Sequence, residues 1–254
     1  MSNAPGFVDP FREVAHRPYP LPRGPWVMAQ TWHDLLFAHW PVDEAQLRAL
    51  IPSELELDTF DGRAWIGIVP FRMSGVRVRF TPALPWIGAF PELNLRTYVK
   101  FRGKSGVWFF ALEAARKLAV DVARSWFHLP YFHARMSCTS SGEAIEYASK
   151  RIHRNAKGAE FIGKYAPIAP VERAPPGSLE HWLTERYCLF AADRRGAIYR
   201  GDIHHAPWPL QRAQARIDTC TLARAHDIEL PALTPHLLFA RRLAVRIWPL
   251  TREQ

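Results

Sequence analysis

Lysine is scarce in this chain: of 33 basic residues only 6 are lysine and 27 are arginine. Cysteine is scarcer still. Cys138, Cys188 and Cys220 lie far apart, form no CxxC pair and are odd in number. That excludes a disulfide framework and points to structural thiols in a reducing compartment; none has the close histidine spacing of a zinc site. Long apolar runs are missing too. The N-terminal stretch lacks the roughly 7–15-residue apolar segment of a signal peptide, and nothing approaches the roughly 18 apolar residues of a membrane helix. The expectation is a cytoplasmic protein without membrane partners. There is no GxGxxG, Walker loop, GxSxG elbow or HExxH. Nucleotide, phosphate and serine-hydrolase chemistry therefore have no motif to stand on, and no cofactor is expected.

What is present is core-forming material. The chain has 254 residues, 48% of them hydrophobic and 22% charged, which excludes disorder and collagen. Its net charge is +9. The arginines are spread along the whole chain, and the densest pairs, Arg194-Arg195 and Arg241-Arg242, are short. A nucleic-acid surface interleaves basic clusters with aromatics. The spread here reads as a compositional preference for arginine, with no specific nucleic-acid partner expected.

Residues 1–25 carry proline at 5, 10, 18, 20, 22 and 25 and read as an extended arm on the surface, with order beginning at Trp26. Residues 26–254 read as a single mainly-β domain. Segment 26–40 reads as a strand or as a helix of that length; as a strand, His33, Leu35, Phe37 and His39 point one way and Trp32, Asp34, Leu36 and Ala38 the other. DEAQLRALIP reads as a short helix stopped by Pro52. ELNLRTYVKF and VWFFALEA flank a glycine-bearing loop at 102–106, as in a hairpin. Leu112, Ala115, Leu118, Ala119 and Val122 recur at helical spacing and predict the longest helix, over 112–127. HLPYFHARMSC and AIEYASKRI read as paired strands, 155–180 as irregular with a Ser178-capped helix, and YCLFAA with AIYRGDIHH as a hairpin. QRAQARIDTCTL and LFARRLAVRIWPL are the last strands. A strongly curved sheet or barrel with the 112–127 helix packed on it would close the edges.

Three groups of residues could carry chemistry. On a strand, Glu92, Asn94, Arg96 and Tyr98 share one face, and Leu93, Leu95, Thr97 and Val99 the other. If the polar face looks into an enclosed space, its charges must be paired or hold a ligand; the alternative is a solvated face. His128, Tyr131 and His133 could polarise a carbonyl or exchange protons, or simply pack. Arg200, Asp202 and His204 alternate onto one face of the YRGDIHH segment and His205 onto the other. Adjacent histidines on a strand do not readily share one metal, and no HxxxH or HxH spacing supports a site with His33 or His39. A hydrogen-bonded wall is the simpler expectation, and no metal is expected.

Seven phrases, TWHDLLFAHWPV, LRALIPSELELDTFDGRAWIGIVPF, FPELNLRTYV, FHLPYFHARM, LEHWLTERYCLF, YRGDIHHAPWPLQ and FARRLAVRIWPL, together resemble the YqjF-like family of uncharacterised bacterial proteins, from about residue 15 onward. That family in turn resembles the acetoacetate decarboxylase-like superfamily, which implies a cone-shaped β-barrel around a central pocket. The resemblance implies Glu92 as a pocket residue and favours Tyr131 and His128 for the same pocket. It also implies a Schiff-base lysine after a Phe-Pro step. Here Trp126-Phe127-His128-Leu129-Pro130-Tyr131-Phe132 offers Tyr131 and Phe132 instead, so imine chemistry is not expected. The resulting expectation is a pocket for a small keto or carboxylic acid. Arg96 would be the anion partner, Asn94, His133 and His204 further ligand contacts, and Glu92, Tyr131 and His128 the acid–base groups. The enzyme version is a lyase without a lysine nucleophile. The rival is a non-catalytic binding or assembly module whose pocket is filled by rings. Turnover and homo-oligomerisation are left open.

Overall fold

Turn chemistry builds the framework first. The computed structural model describes residues 13–82, 89–116 and 127–253. Strands β4 (Phe90–Phe101) and β5 (Lys104–Ala114) meet across Arg102-Gly103, both at positive φ (49° and 75°). That is the two-residue geometry whose twist matches paired strands, so the connection is shorter than the five-residue loop read from sequence. The short helix α1 (Glu44–Arg48) starts where Asp43 accepts from the Ala45 N–H, and it buries Leu47. Strand β1 is Met28–Val42, β2 Glu56–Leu57 and β3 Ala64–Val78.

Further along lie β6 (Tyr131–Ser141), β7 (Ala144–Arg151) and β8 (Glu160–Pro167). Helix α2 (Leu179–Thr184) is capped by Ser178, which accepts from the His181 N–H. Then come β9 (Cys188–Ala192), β10 (Ile198–His204), β11 (Gln211–Cys220) and β12 (His236–Arg252). The fold is mainly β. No helix among the described residues is long and apolar enough to cross a membrane.

All twelve strands join one sheet, which returns on itself twice. Strand β12 pairs with β1 on one edge and, on the other, with β11 near Phe239 and β10 near Ile247. Strand β5 pairs with β4 on one edge and runs parallel to β9 at Val107 and to β6 at Leu112–Ala114 on the other. One circuit of paired strands is therefore β12-β1-β3-β4-β5-β9-β10. The second shares β12, β1, β3, β4 and β5 and closes through β6, β7, β8 and β11.

The shared strands bury both faces. Leu93, Leu95 and Val99 of β4 join an apolar cluster with Tyr147, Phe161 and Phe239 of the second circuit. The opposite face of β4 looks into the first circuit.

Four further sequence expectations change. The helix over 112–127 does not begin at 112: Leu112–Ala114 complete β5, because β4 and β6 hydrogen-bond both their edges; residues 117–126 lie outside the described residues. Strand β8 occupies part of the stretch expected to be irregular, held by β7 and β11. In β1, Asp34 adopts φ 52° at a bulge. The bulge slips the alternation by one, and Trp32 joins Leu35 and Phe37 on one face.

Nor does order start at Trp26. Arg17 is buried, donating to Ile203 O (2.8 Å) and bonding His204 Nδ1 (3.1 Å), while His16 Nε2 bonds His205 O (2.9 Å). Residues 13–19 thus clamp the end of β10 from behind.

Candidate functional site

Every strand of the first circuit contributes to the wall of a cavity of about 400 Å³. Apolar side chains make most of the wall, among them Trp32, Met73, Phe90, Phe109, Leu112 and Trp208. Set into it are a few polar groups: Glu92, Tyr131, Arg96, Arg186, His205 and Thr184.

Glu92 is buried, and the Tyr131 hydroxyl donates to its Oε2 at 2.9 Å. Burial pushes the Glu92 carboxyl up to about 8, against the smaller opposing effect of the Tyr131 bond. At neutral pH the carboxyl is mostly protonated and can itself donate. Tyr131 is pushed well above the ordinary phenol value, first by burial and then by Glu92. The phenol therefore stays protonated and keeps its donor role.

The second polar pole lies four residues along the same strand. Arg96 Nη2 donates over 3.4 Å to both Tyr98 Oη and Leu183 O, and its Nε is buried without a partner. The guanidinium lies 5.4 Å from the Phe37 ring centroid and 5.7 Å from that of Tyr98. Arg186 covers the same Tyr98 ring at 4.8 Å. It donates to Asp58 Oδ2 (2.5 Å) and Trp182 O (2.6 Å), leaving Nη2 buried without a partner. Asp58 is fully enclosed and also takes Lys100 Nζ at 2.8 Å.

Behind Arg96, His39 Nε2 lies 2.6 Å from Tyr98 Oη. Burial, reinforced by Arg96 and His236, holds His39 well below its usual value, so it is neutral. The Tyr98 hydroxyl oxygen thus sits between Arg96 Nη2, which donates to it, and the neutral His39 ring. Gly67 makes room for that ring: a Cβ there would stand 2.8 Å from His39 Nε2 and 2.9 Å from Cδ2. Gly67→Ala is expected to cost about 1–3 kcal/mol, as forced overpacking does. Denaturant unfolding should show a lowered midpoint; an unchanged midpoint would mean the His39 pocket has slack.

The structure sorts the sequence candidates. Glu92, Tyr131 and Arg96 line one cavity. Asn94 is buried, and its Oδ1 has no hydrogen-bond partner, yet it is not part of the described cavity wall. His128 packs 4.9 Å from the Tyr199 ring, away from that wall, because its backbone at φ 50° turns before β6 starts. His133 pairs its backbone N–H with His153 Nδ1 (3.1 Å) and is absent from the wall as well. His204 is buried against Arg17 and stacked near His16 (5.8 Å). The histidine on the wall is its neighbour His205, stacked on Tyr187 (4.6 Å).

Arg186, His205, Thr184 and Trp208 were missed. The Arg186 partner Asp58 is 128 residues away, so no local signal could have found it. Among the described residues no three His, Cys, Asp or Glu gather as metal ligands, and the three cysteines are free.

The model of the DUF2071 family, described as an uncharacterized conserved protein, matches residues 29–244. The chain is 51% identical over 232 residues to the uncharacterized protein YqjF of Bacillus subtilis (strain 168), covering 91% of this chain and 95% of that one. Among solved structures it is similar to acetoacetate decarboxylase from Legionella pneumophila, with a TM-score of 0.64 at 11% identity over 94% of this chain and 93% of that one. It is also similar to the enduracididine biosynthesis enzyme MppR complexed with pyruvate, with a TM-score of 0.62 at 10% identity over 90% of this chain and 91% of that one. At such identities the likeness is one of fold alone.

Proposed function

The chain belongs to the DUF2071 family of uncharacterized conserved proteins, and from the cavity it builds we propose that it binds an organic acid inside a barrel formed by the first circuit of strands. The carrying observation is Arg96, with Arg186 beside it: both line a mostly apolar cavity, and among the described residues Arg96 bonds only two neutral oxygens, each at 3.4 Å, with no carboxylate partner. A guanidinium set in such a wall without a counter-charge is costly, and a carboxylate in the cavity supplies strong charge-assisted bonds. Glu92, protonated at neutral pH and held by Tyr131, is placed to donate to a carbonyl or hydroxyl oxygen of the same ligand. With a keto acid this amounts to general-acid polarisation of the carbonyl, the enzymatic form of the reading.

The reading contains no imine step. Lys100, Lys104, Lys150, Lys157 and Lys164 are not part of the cavity wall, and Lys117 lies outside the described residues.

Octanoate and its neutral counterpart octanamide make the test. Octanoate should raise the melting temperature, because a ligand at about 100 times its Kd adds about 2.7 kcal/mol of stability. Octanamide should not, and Arg96→Ala should abolish the octanoate shift. If the amide matches the acid, or the variant responds like the unaltered chain, the arginines are not the anion partner.

A further inference from the structure

Resting on the organic-acid reading, we infer that the cavity is a channel for an elongated, amphiphilic acid, a medium- to long-chain aliphatic carboxylate, and not for a compact keto acid of a few carbons. The strand registers carry this. Arg96 stands opposite Gly67 of β3, while Val76 and Val78, eleven residues further along β3 at the most, line the same cavity. Val78 stands opposite Met28 of β1, which stands opposite Ile247 of β12, and both of these line it as well. At about 3.3 Å per residue the wall follows roughly 36 Å of strand contour, shortened in a straight line by coiling. A volume of about 400 Å³ drawn out over such a span is narrow. It is room for on the order of a dozen water-sized groups in file.

The chemistry of the wall changes along its length. Arg96, Arg186, His205 and Thr184 gather at the end where β4 leaves for β5. Glu92 with Tyr131 stands part-way. Beyond them come Met73, Phe90, Val76, Met28, Val78 and Ile247; Gln30 stands among these, bonded to Trp32 and to the Met28 sulfur, and Arg77 and Thr81 lie exposed near the far end. Two of these six are methionines, whose flexible thioethers adapt to chains of different bend. Protonated Glu92 carries no charge and accepts from Tyr131, so an aliphatic chain passes the pair without stranding an ion. A carboxylate head at the arginine end thus leaves a tail of about ten carbons for the apolar remainder. A three- or four-carbon acid would fill the head site and leave most of the wall unburied.

The test is a chain-length series of straight saturated acids, from butanoate to tetradecanoate, titrated calorimetrically below their micelle concentrations, with decan-1-ol beside decanoate. Transfer of one CH₂ at about 0.8 kcal/mol corresponds to about fourfold in affinity. Affinity should therefore climb about two- to fourfold per carbon and level off near twelve carbons. Val76→Trp, set at the far end, should move that plateau to shorter chains and weaken dodecanoate more than hexanoate. Affinity that is flat from butanoate onward overturns the channel while the carboxylate reading survives. Decanol binding as tightly as decanoate leaves the channel standing and removes the arginine head site. No binding at any length, or a melting temperature that only falls with chain length as a detergent would make it do, removes both.

Discussion

At pH 8.5, Glu92→Gln should unfold at a temperature roughly 5–10 °C higher than the unaltered chain, and at pH 4.5 the two should melt nearly together. The reason is linkage. The Glu92 carboxyl is raised from 4.5 to about 8 in the folded chain, chiefly by burial. Between those values the folded state holds a proton that the unfolded state has released, so stability falls as pH rises. The contribution is fully present below about pH 4.5 and is lost once pH passes about 8. At about 1.4 kcal/mol per pH unit, the ionisable carboxyl costs on the order of 4 kcal/mol at pH 8.5. Glutamine keeps an oxygen for the Tyr131 hydroxyl but adds an amide that must find a partner, which returns about 1 kcal/mol. The remaining ~3 kcal/mol converts to several degrees in a chain of this length. Melting curves from pH 4.5 to 8.5 check it. A variant that tracks the unaltered chain at every pH would mean that Glu92 is ionised and solvated in the fold.

The second large effect concerns the support of the arginine pole. Asp58→Ala should destabilise by about 3–5 kcal/mol, because it strands a buried cation. The Arg186 side chain is only 6% exposed and that of Asp58 not at all, whereas Lys100, the other partner, is 42% exposed and can turn to water. The double variant Asp58→Leu with Arg186→Met should recover most of the loss, since a pair removed together leaves no uncompensated charge. The acid limb carries a second signature. Burial alone would raise the Asp58 carboxyl, but Arg186 and Lys100 outweigh it and hold it below its usual value. Its contribution is therefore present above the ordinary carboxylate range and is lost as pH falls through the lowered folded value. Denaturant titrations at pH 7 and below pH 4 separate the cases. If Asp58→Ala is as stable as the unaltered chain at pH 7, Arg186 has another counter-charge.

Much of the candidate site was legible because it lies on one strand. A period of two puts Glu92 and Arg96 on one face of β4 whatever the rest of the chain does, and the bulge in the β4–β5 ladder leaves β4's own alternation intact. Tyr131 was found at the point where the resemblance demands a nucleophile. His204 and His205 show the opposite case. They are adjacent, so one must face the cavity and the other must not. The β10–β12 register slips between Gly201 and Ile203, and the 13–19 segment takes hold of His204. Neither event leaves a mark in the local sequence. The expected 112–127 helix failed at its start for a related reason: Leu112 and Ala114 fit helical spacing, but strands on both edges of β5 claim their backbone.

What the sequence determined by itself is short-range: the mainly-β class, the hairpin turns, the Ser178 cap, and the face shared by Glu92 and Arg96. These depend on spacing within a few residues, where backbone periodicity and turn preference act. Only the tertiary structure decided that this face looks inward, that Arg186 arrives beside Arg96 to share the Tyr98 ring, and that Arg17 seals the wall from behind. Each of those outcomes joins residues about 90 to 190 positions apart. Such pairings are selected by closing the sheet on itself, which no local pattern encodes.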